Sequence, residues 1–334
     1  MPIRALRERE FDEHAELVYV SYAHEKQLPP GSMLTHRDWW LRSVERDPYY
    51  EPAQTRVMEV EGRLVASVGC YYRPTYIDGR VVDAACIGSV CTHPDHRRRG
   101  YVRELLAEAV AWMTDRGWEF SWLYGLQDVY GGSGWRNLTA FDLVAALSVR
   151  EQFATDLQDR PVDPDSDADV ALLADAYARF CTRLTGPTVR NTKYWRQRVL
   201  APSPWGEAPE YRLVLRAGQP LGYYCMQGAF VRELAWSGRP HELLAQVLRR
   251  AGGQPVSFAC YVEGMIPALR EISPIPSQRE CFDAPGSITL RDSYKGLWRH
   301  HHLRDRKLPE VADTEGLVRF LRDNGYVMWP ADRA

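Results

Sequence analysis

Arg97, Arg98 and Arg99 stand in a row immediately before Gly100, and Tyr130 follows thirty residues after that glycine. Consecutive guanidinium groups pair with phosphate oxygens through charge-assisted hydrogen bonds. A basic run can equally be a solvated loop, so its setting decides. That setting is the stretch IGSVCTHPDHRRRGYV, from Ile87 to Val102. Ile87, Val90 and Thr92 alternate as on a strand, and Pro94 ends it. From Gly100 onward, Val102, Leu105, Leu106, Ala109, Val110 and Met113 recur at helical spacing to about Arg116. A strand, a loop and a helix start in that order leave backbone amides unpaired at the positive end of the helix dipole. Such an end is a seat for phosphate.

These residues resemble the GNAT superfamily of N-acetyltransferases. There, a strand ending Val-x-Val-x-Pro leads into a loop of the form Gln/Arg-x-x-Gly-x-Gly/Ala. Val90, Thr92 and Pro94 fill the strand positions, and Arg97, Gly100 and Val102 the loop positions, with Val102 in place of the usual Gly or Ala. The run HPDHRRRGYVRELL, followed by DVYGGSGW, looks like the "enhanced intracellular survival" (Eis-like) subfamily. Those proteins pair a PxHRRRG loop with an IYGRFGY-like segment. The likeness covers residues 1–150 well and the rest more faintly. It implies an α/β chain of tandem GNAT folds, each a mixed twisted sheet flanked by helices. It also implies acetyl-CoA as co-substrate, held by Val90, Cys91, Thr92, Arg97, Arg98, Arg99, Gly100, Tyr101 and Val102, and no metal.

Direct acetylation of an amine needs the thioester held beside the amine with water kept out. It needs a backbone N–H near the end of the Val90 strand for the tetrahedral intermediate. The leaving thiolate is best protonated by an acid that is neutral at pH 7, and a tyrosine hydroxyl suits. Tyr130 stands at the position of that tyrosine in the resembled family; packing as a core aromatic is its alternative, and Tyr124 is the next candidate. The resemblance implies the C-terminal carboxylate, here that of Ala334, as the base, with Glu59, Asp83 and Asp128 as other candidates. Trp39, Trp40, Tyr49 and Tyr50 lie where the family builds its acceptor wall. Aromatic faces attract ammonium groups, although the same rings can simply pack. The acceptor expected is therefore a small-molecule amine.

Length suggests two domains in 334 residues, and 45% hydrophobic with 26% charged residues is a globular composition. A net charge of −2 argues against nucleic acid as a partner. No apolar run approaches 18 residues, so no membrane span is expected. The N-terminus MPIRALREREFDEH has no apolar signal region, and seven cysteines show no paired spacing. Both features point to a cytoplasmic protein with buried thiols, Cys91 among them. Whether it forms a homo-oligomer is left open.

The first half reads as a strand at Ile3–Leu6 and helices at Phe11–Ala23 and about Thr35–Arg46, separated by a loop with Pro29, Pro30 and Gly31. A hairpin about Glu61-Gly62-Arg63, a strand over Val81–Thr92 and another over Trp118–Tyr124 follow. The chain then repeats itself. Trp40 aligns with Trp195 at an offset of 155, and Gly62 with Gly218 at 156. This divides the chain into a cofactor-binding domain at 1–150, a linker at 160–169 and a degenerate second copy at 170–334. In the second copy the strand Val231–Trp236 runs into SGRPHELLAQ, without an Arg-x-x-Gly cradle. Val256–Val262 reads as a strand, with a helix from near Gly264. Ser287–Arg291 and Gly296–His300 read as two strands, and Thr314–Asn324 as a helix stopped by Gly325. Consecutive His300, His301 and His302 on a strand would point to alternate faces and could not converge on a metal. The third, lipid-carrier-like domain of Eis-like proteins is expected to be absent or replaced in these 334 residues. Two other functions stay open: an acyl-CoA-binding module without turnover, and a tandem acyl or aminoacyl transferase with another donor.

Overall fold

A computed structural model describes residues 3–26, 38, 40–150, 153, 156–201, 209–273, 286–303 and 307–332. The first half contains β1 (Ile3–Ala5), α1 (Phe11–Lys26), α2 (described over 40–45), β2 (Thr55–Val60), β3 (Arg63–Tyr72), β4 (Thr75–Ile77), β5 (Arg80–Val82) and β6 (Ala84–Thr92). It continues through α3 (Tyr101–Asp115), β7 (Phe120–Leu123), α4 (Gln127–Tyr130) and β8 (Arg136–Ala146). The second half contains β9 (Leu157–Pro161), α5 (Asp167–Cys181), α6 (Thr192–Tyr194), β10 (Tyr211–Arg216), β11 (Gln219–Gln227) and β12 (Phe230–Trp236). Then come α7 (His241–Arg250), β13 (Val256–Phe258), α8 (Met265–Ile272), β14 (Ser287–His300) and α9 (Thr314–Asp323).

The repeat seen in the sequence is physical. Glu61-Gly62 and Ala217-Gly218 both hold two successive left-handed residues, with φ of 51° and 79° in one turn and 47° and 78° in the other. That is the conformation a tight two-residue hairpin requires. The β2–β3 hairpin slips register at Met58/Glu59 and the β10–β11 hairpin at Val214/Leu215, the same place in each copy. Each copy then crosses over through one helix to a parallel neighbour, β6 to β7 and β12 to β13.

Twelve strands form one continuous sheet in the order β1-β2-β3-β6-β7-β14-β8-β13-β12-β11-β10-β9, while β4 and β5 pair separately. The joint between the halves is an exchange. β14, from the end of the chain, pairs antiparallel with β7 (Leu297 opposite Leu123) and with β8 (Ser287 opposite Ala146). β8, from the first half, pairs with β13 of the second. Each half thus receives its closing strand from the other, and a division at about residue 150 cuts through a shared sheet.

Four expectations need correction. The strand expected over Val81–Thr92 breaks at Asp83, whose carboxylate is engaged by the hydroxyl of Tyr72 and by Lys307 Nζ at 2.8 Å. The expected linker at 160–169 is mostly ordered elements: Arg160 and Pro161 end edge strand β9, where proline is tolerated. α5 begins at Asp167 with Ser166 as its cap, and Arg160 clasps Asp169 at 2.5 and 2.7 Å. β13 stops at Phe258, short of Val262. The two strands expected near the end are one, irregular between Tyr294 and Leu297, and it ends at His300. The expected loop at Pro29–Gly31 lies outside the described residues.

Apolar clusters cover both faces of the first half. α3 lies on one face over Val65, Ala85, Ile87 and Leu123. On the other, α1 and α2 share a core with Leu317 and Leu321 of α9. A third cluster fills the second half and reaches Val327 and Trp329 near the C-terminus. All six described cysteines are buried.

Candidate active site

β6 and β7 pair only from Ala84 to Cys86, opposite Phe120 to Trp122. Beyond Cys86, β6 continues alone on that side to Thr92, which opens a wedge in the sheet. Within this free stretch Gly88 faces Gly69 and Cys91 faces Ser67, so β6 carries one extra residue there. Ser89 takes the strain, with φ 47°. A bulge re-aims the backbone that follows it, here Val90 to Thr92. Tyr71 holds this kink in place. Its ring lies across both glycines, where a Cβ would meet it at 2.6 Å from Gly69 and 2.9 Å from Gly88. Its hydroxyl is 2.7 Å from Ser89 Oγ and accepts from Trp40 Nε1 at 3.1 Å.

The loop after β6 makes a short turn at Pro94–His96, in which His93 Nδ1 accepts from the Asp95 N–H at 3.3 Å. Arg98 and Gly100 then adopt φ of 62° and 84°, and α3 starts with no side chain capping its first amides. Left-handed residues between right-handed or extended ones turn backbone N–H groups toward one concavity. The donor set of uncapped amides and exposed Arg98 and Arg99 fits a diphosphate.

The structure separates the other expected residues by role. Arg97 turns back from the concavity: Nη2 donates to the Ser21 carbonyl at 3.0 Å and Nε to that of Thr92 at 3.4 Å. It ties the loop to α1. Arg99 Nη2 reaches the Asp95 carbonyl at 3.4 Å. Val90, Tyr101, Val102 and Tyr130 all pack on the apolar cluster beneath α3, so strand, loop, helix start and tyrosine share one base. The Val90 carbonyl accepts from Tyr22 Oη at 3.4 Å. Cys91 is buried with Sγ 3.2 Å from Ser67 Oγ, a packed thiol. Tyr130 ends α4, its ring against Gly125, where a Cβ would stand 2.5 Å from Cε2. Gln127 fixes α4 to β8 by donating to the Trp135 carbonyl and accepting from the Asn137 N–H, both at 3.0 Å.

The aromatic wall is different from the one expected. Trp40 is 1% exposed and packs against His14 at 4.2 Å and Phe11 at 5.6 Å. Its bond to Tyr71 supports the bulge from behind instead of facing a ligand. Tyr50 joins the same core, and Tyr49 donates to the Val189 carbonyl of the second half at 2.9 Å. Trp39 and Ala334 lie outside the described residues. The last described residue, Asp332, is buried in the second half, where Arg190 Nε donates to it at 2.8 Å while Nη1 and Nη2 of the same guanidinium bridge to Glu233. Among the other candidate bases, Glu59 pairs with Arg4 at 2.6 Å and Asp83 is engaged as above, while Asp128 is exposed. His301 points to Ser121 and to the Trp118 carbonyl, and His300 Nε2 lies 4.0 Å from Glu119. The roles of Tyr71 and Ser89 escaped the sequence reading, because the pairing of β3 with β6 that sets Gly69 opposite Gly88 cannot be read from the sequence.

Residues 2–137 match the acetyltransferase (GNAT) domain family. Solved structures extend the likeness in fold over nine-tenths of the chain. A probable N-acyltransferase from Enterococcus faecalis matches with a TM-score of 0.66 at 13% identity, covering 91% of this chain and 73% of that one. A GCN5-related N-acetyltransferase from Anabaena variabilis matches at 0.63 and 15%, covering 90% and 72%. Eis1 from Mycobacterium abscessus matches at 0.62 and 17%, covering 90% and 74%. A sequence search of curated proteins returned no match. Among the described residues no helix is long and apolar enough to cross a membrane.

Proposed function

We propose that this protein is an acetyl-CoA-dependent N-acetyltransferase of the Eis-like tandem kind, acting on a small amine by direct attack. The observation that carries the reading is the uncapped start of α3 behind left-handed Gly100, beside a strand pair that parts after Cys86. Acetyl-CoA supplies an acyl group activated as a thioester. Arg98, Arg99 and the first amides of α3 would hold its diphosphate, and the bulged backbone from Val90 to Thr92 would line the thioester. Arg97, Cys91 and Tyr101 shape this seat from below. As the C–N bond forms and the C–S bond breaks, Tyr130 would give its hydroxyl proton to the departing thiolate sulfur and regain one from the attacking nitrogen, so that one proton passes from nitrogen to sulfur. The second copy, lacking the cradle, walls the site.

Isothermal titration with acetyl-CoA and a thiol-release assay over a panel of amines test the reading together. Tyr130→Phe is expected to keep acetyl-CoA affinity and lose about 10²- to 10⁴-fold in kcat, the usual worth of a positioned acid. An unchanged rate would remove Tyr130 from the chemistry. Binding without turnover on every amine would favour the acyl-CoA-binding module, and tighter binding of a longer acyl-CoA would favour another donor.

A further inference from the structure

The turn that leads into α4, the helix ending at Tyr130, is held by a side chain from the other half of the chain. Tyr294 lies on β14, at the point where that strand is irregular and begins to pair with β7 as well as β8. Its hydroxyl donates to the Gly125 carbonyl at 2.8 Å and accepts from the Gly125 N–H at 3.3 Å. Its ring meets Tyr124 edge-on, with centroids 5.9 Å apart. Two residues on, Gly296 (φ 96°) lets β14 pass so close that a Cβ there would stand 2.7 Å from the Leu123 carbonyl oxygen. The close crossing brings Tyr294 over the end of β7.

Gly125 is also the floor under the Tyr130 ring, since any side chain on it would strike Cε2 at 2.5 Å and Leu123 Cδ1 at 2.9 Å. One hydroxyl therefore holds both polar groups of the residue that sets the tyrosine's height. The contact is not needed to fill the core, because Tyr294 is 43% exposed. We infer that Tyr294 is a positioning residue for the transfer proposed above: it fixes the Gly125 backbone and, through it, the Tyr130 ring. On that reading the copy without a cradle supplies part of the geometry of the copy that has one.

Tyr294→Phe in the full chain keeps the ring and removes both hydrogen bonds. Hydrogen exchange of the segment 124–131, measured without any substrate, should quicken about tenfold, the scale of a lost hydrogen bond. Unchanged exchange would overturn the inference whatever the reaction is. In steady-state assays kcat should fall about tenfold while KM for acetyl-CoA stays the same. The double variant with Tyr130→Phe should be no slower than Tyr130→Phe alone, because both act through one group. Additive losses would mean that Tyr294 acts elsewhere, again overturning it. A Tyr130→Phe enzyme at full rate with Tyr294→Phe exchange still accelerated would instead fault the assignment of the acid, and with it the positioning role.

Discussion

Position 100 separates backbone geometry from charge at the helix mouth. Gly100 has φ 84°, yet a Cβ there would meet only the far end of Arg103 at 3.9 Å. Gly100→Ala therefore costs conformation and not space, about 1–2 kcal/mol for a non-glycine residue held left-handed. Gly100→Asp carries the same conformational cost, but a carboxylate beside unpaired amides favours the helix by roughly 0.3–1 kcal/mol. Its urea midpoint should lie at or above that of the alanine variant. Affinity for acetyl-CoA should move the other way. A carboxylate about 5 Å from a phosphate charge is repelled by about 1–3 kcal/mol between bulk-water and near-surface screening. That corresponds to about 5- to 150-fold weaker binding than the alanine variant, a gap that should narrow in high salt. Titration calorimetry at two ionic strengths and urea unfolding read the two effects separately. Equal affinity for the alanine and aspartate variants would refute a phosphate seat at this helix start.

Burial holds both His14 and His301 at a pKa of about 3, well below an ordinary histidine. The folded protein keeps them neutral while the unfolded chain takes up their protons, so their stabilisation is complete above pH 6.5 and declines toward pH 3. Each should steepen the loss by up to about 1.4 kcal/mol per pH unit within that window. Urea unfolding of His14→Leu between pH 4.5 and 6 should show a shallower slope than the parent, and an identical slope would be the contrary result. Expressed alone, residues 1–150 lack β14, which leaves β7 and β8 as open edges prone to association. Size exclusion should show aggregate, whereas a monodisperse fragment that binds acetyl-CoA would refute the strand exchange.

Local signals were legible where local physics sets the structure. The Glu61-Gly62 turn, the start of α3 at Gly100 and its apolar stripe follow from neighbours within a few residues, and so does the duplication. Position in the sheet does not. The β14 sequence SITLRDSYKGLWRH alternates poorly, and nothing in it names β7 and β8 as partners roughly 140 to 180 residues away. Proline and acids around Asp163 read as a linker, since an edge strand tolerates proline and its pairing cannot be seen in composition. Trp40 looked like a wall because an aromatic residue near a site has two uses. Its neighbours Tyr71 and Ser89, distant in sequence, decide for the core. Tyr294 was illegible for the same reason.

The exchanged strands also set an order of events during synthesis. The loop and helix start after β6 are encoded early and that helix can form as soon as it emerges, but β14, the partner of β7, is translated roughly 170 residues after it. Until residue 300 has left the ribosome, a wide apolar surface of the leading half stays unsealed. Such surface is what makes large folding intermediates sticky. Expression yield should therefore respond to chaperone supply and slow translation, and a chain cut just before β14 should fail to fold although the whole of the first half is present.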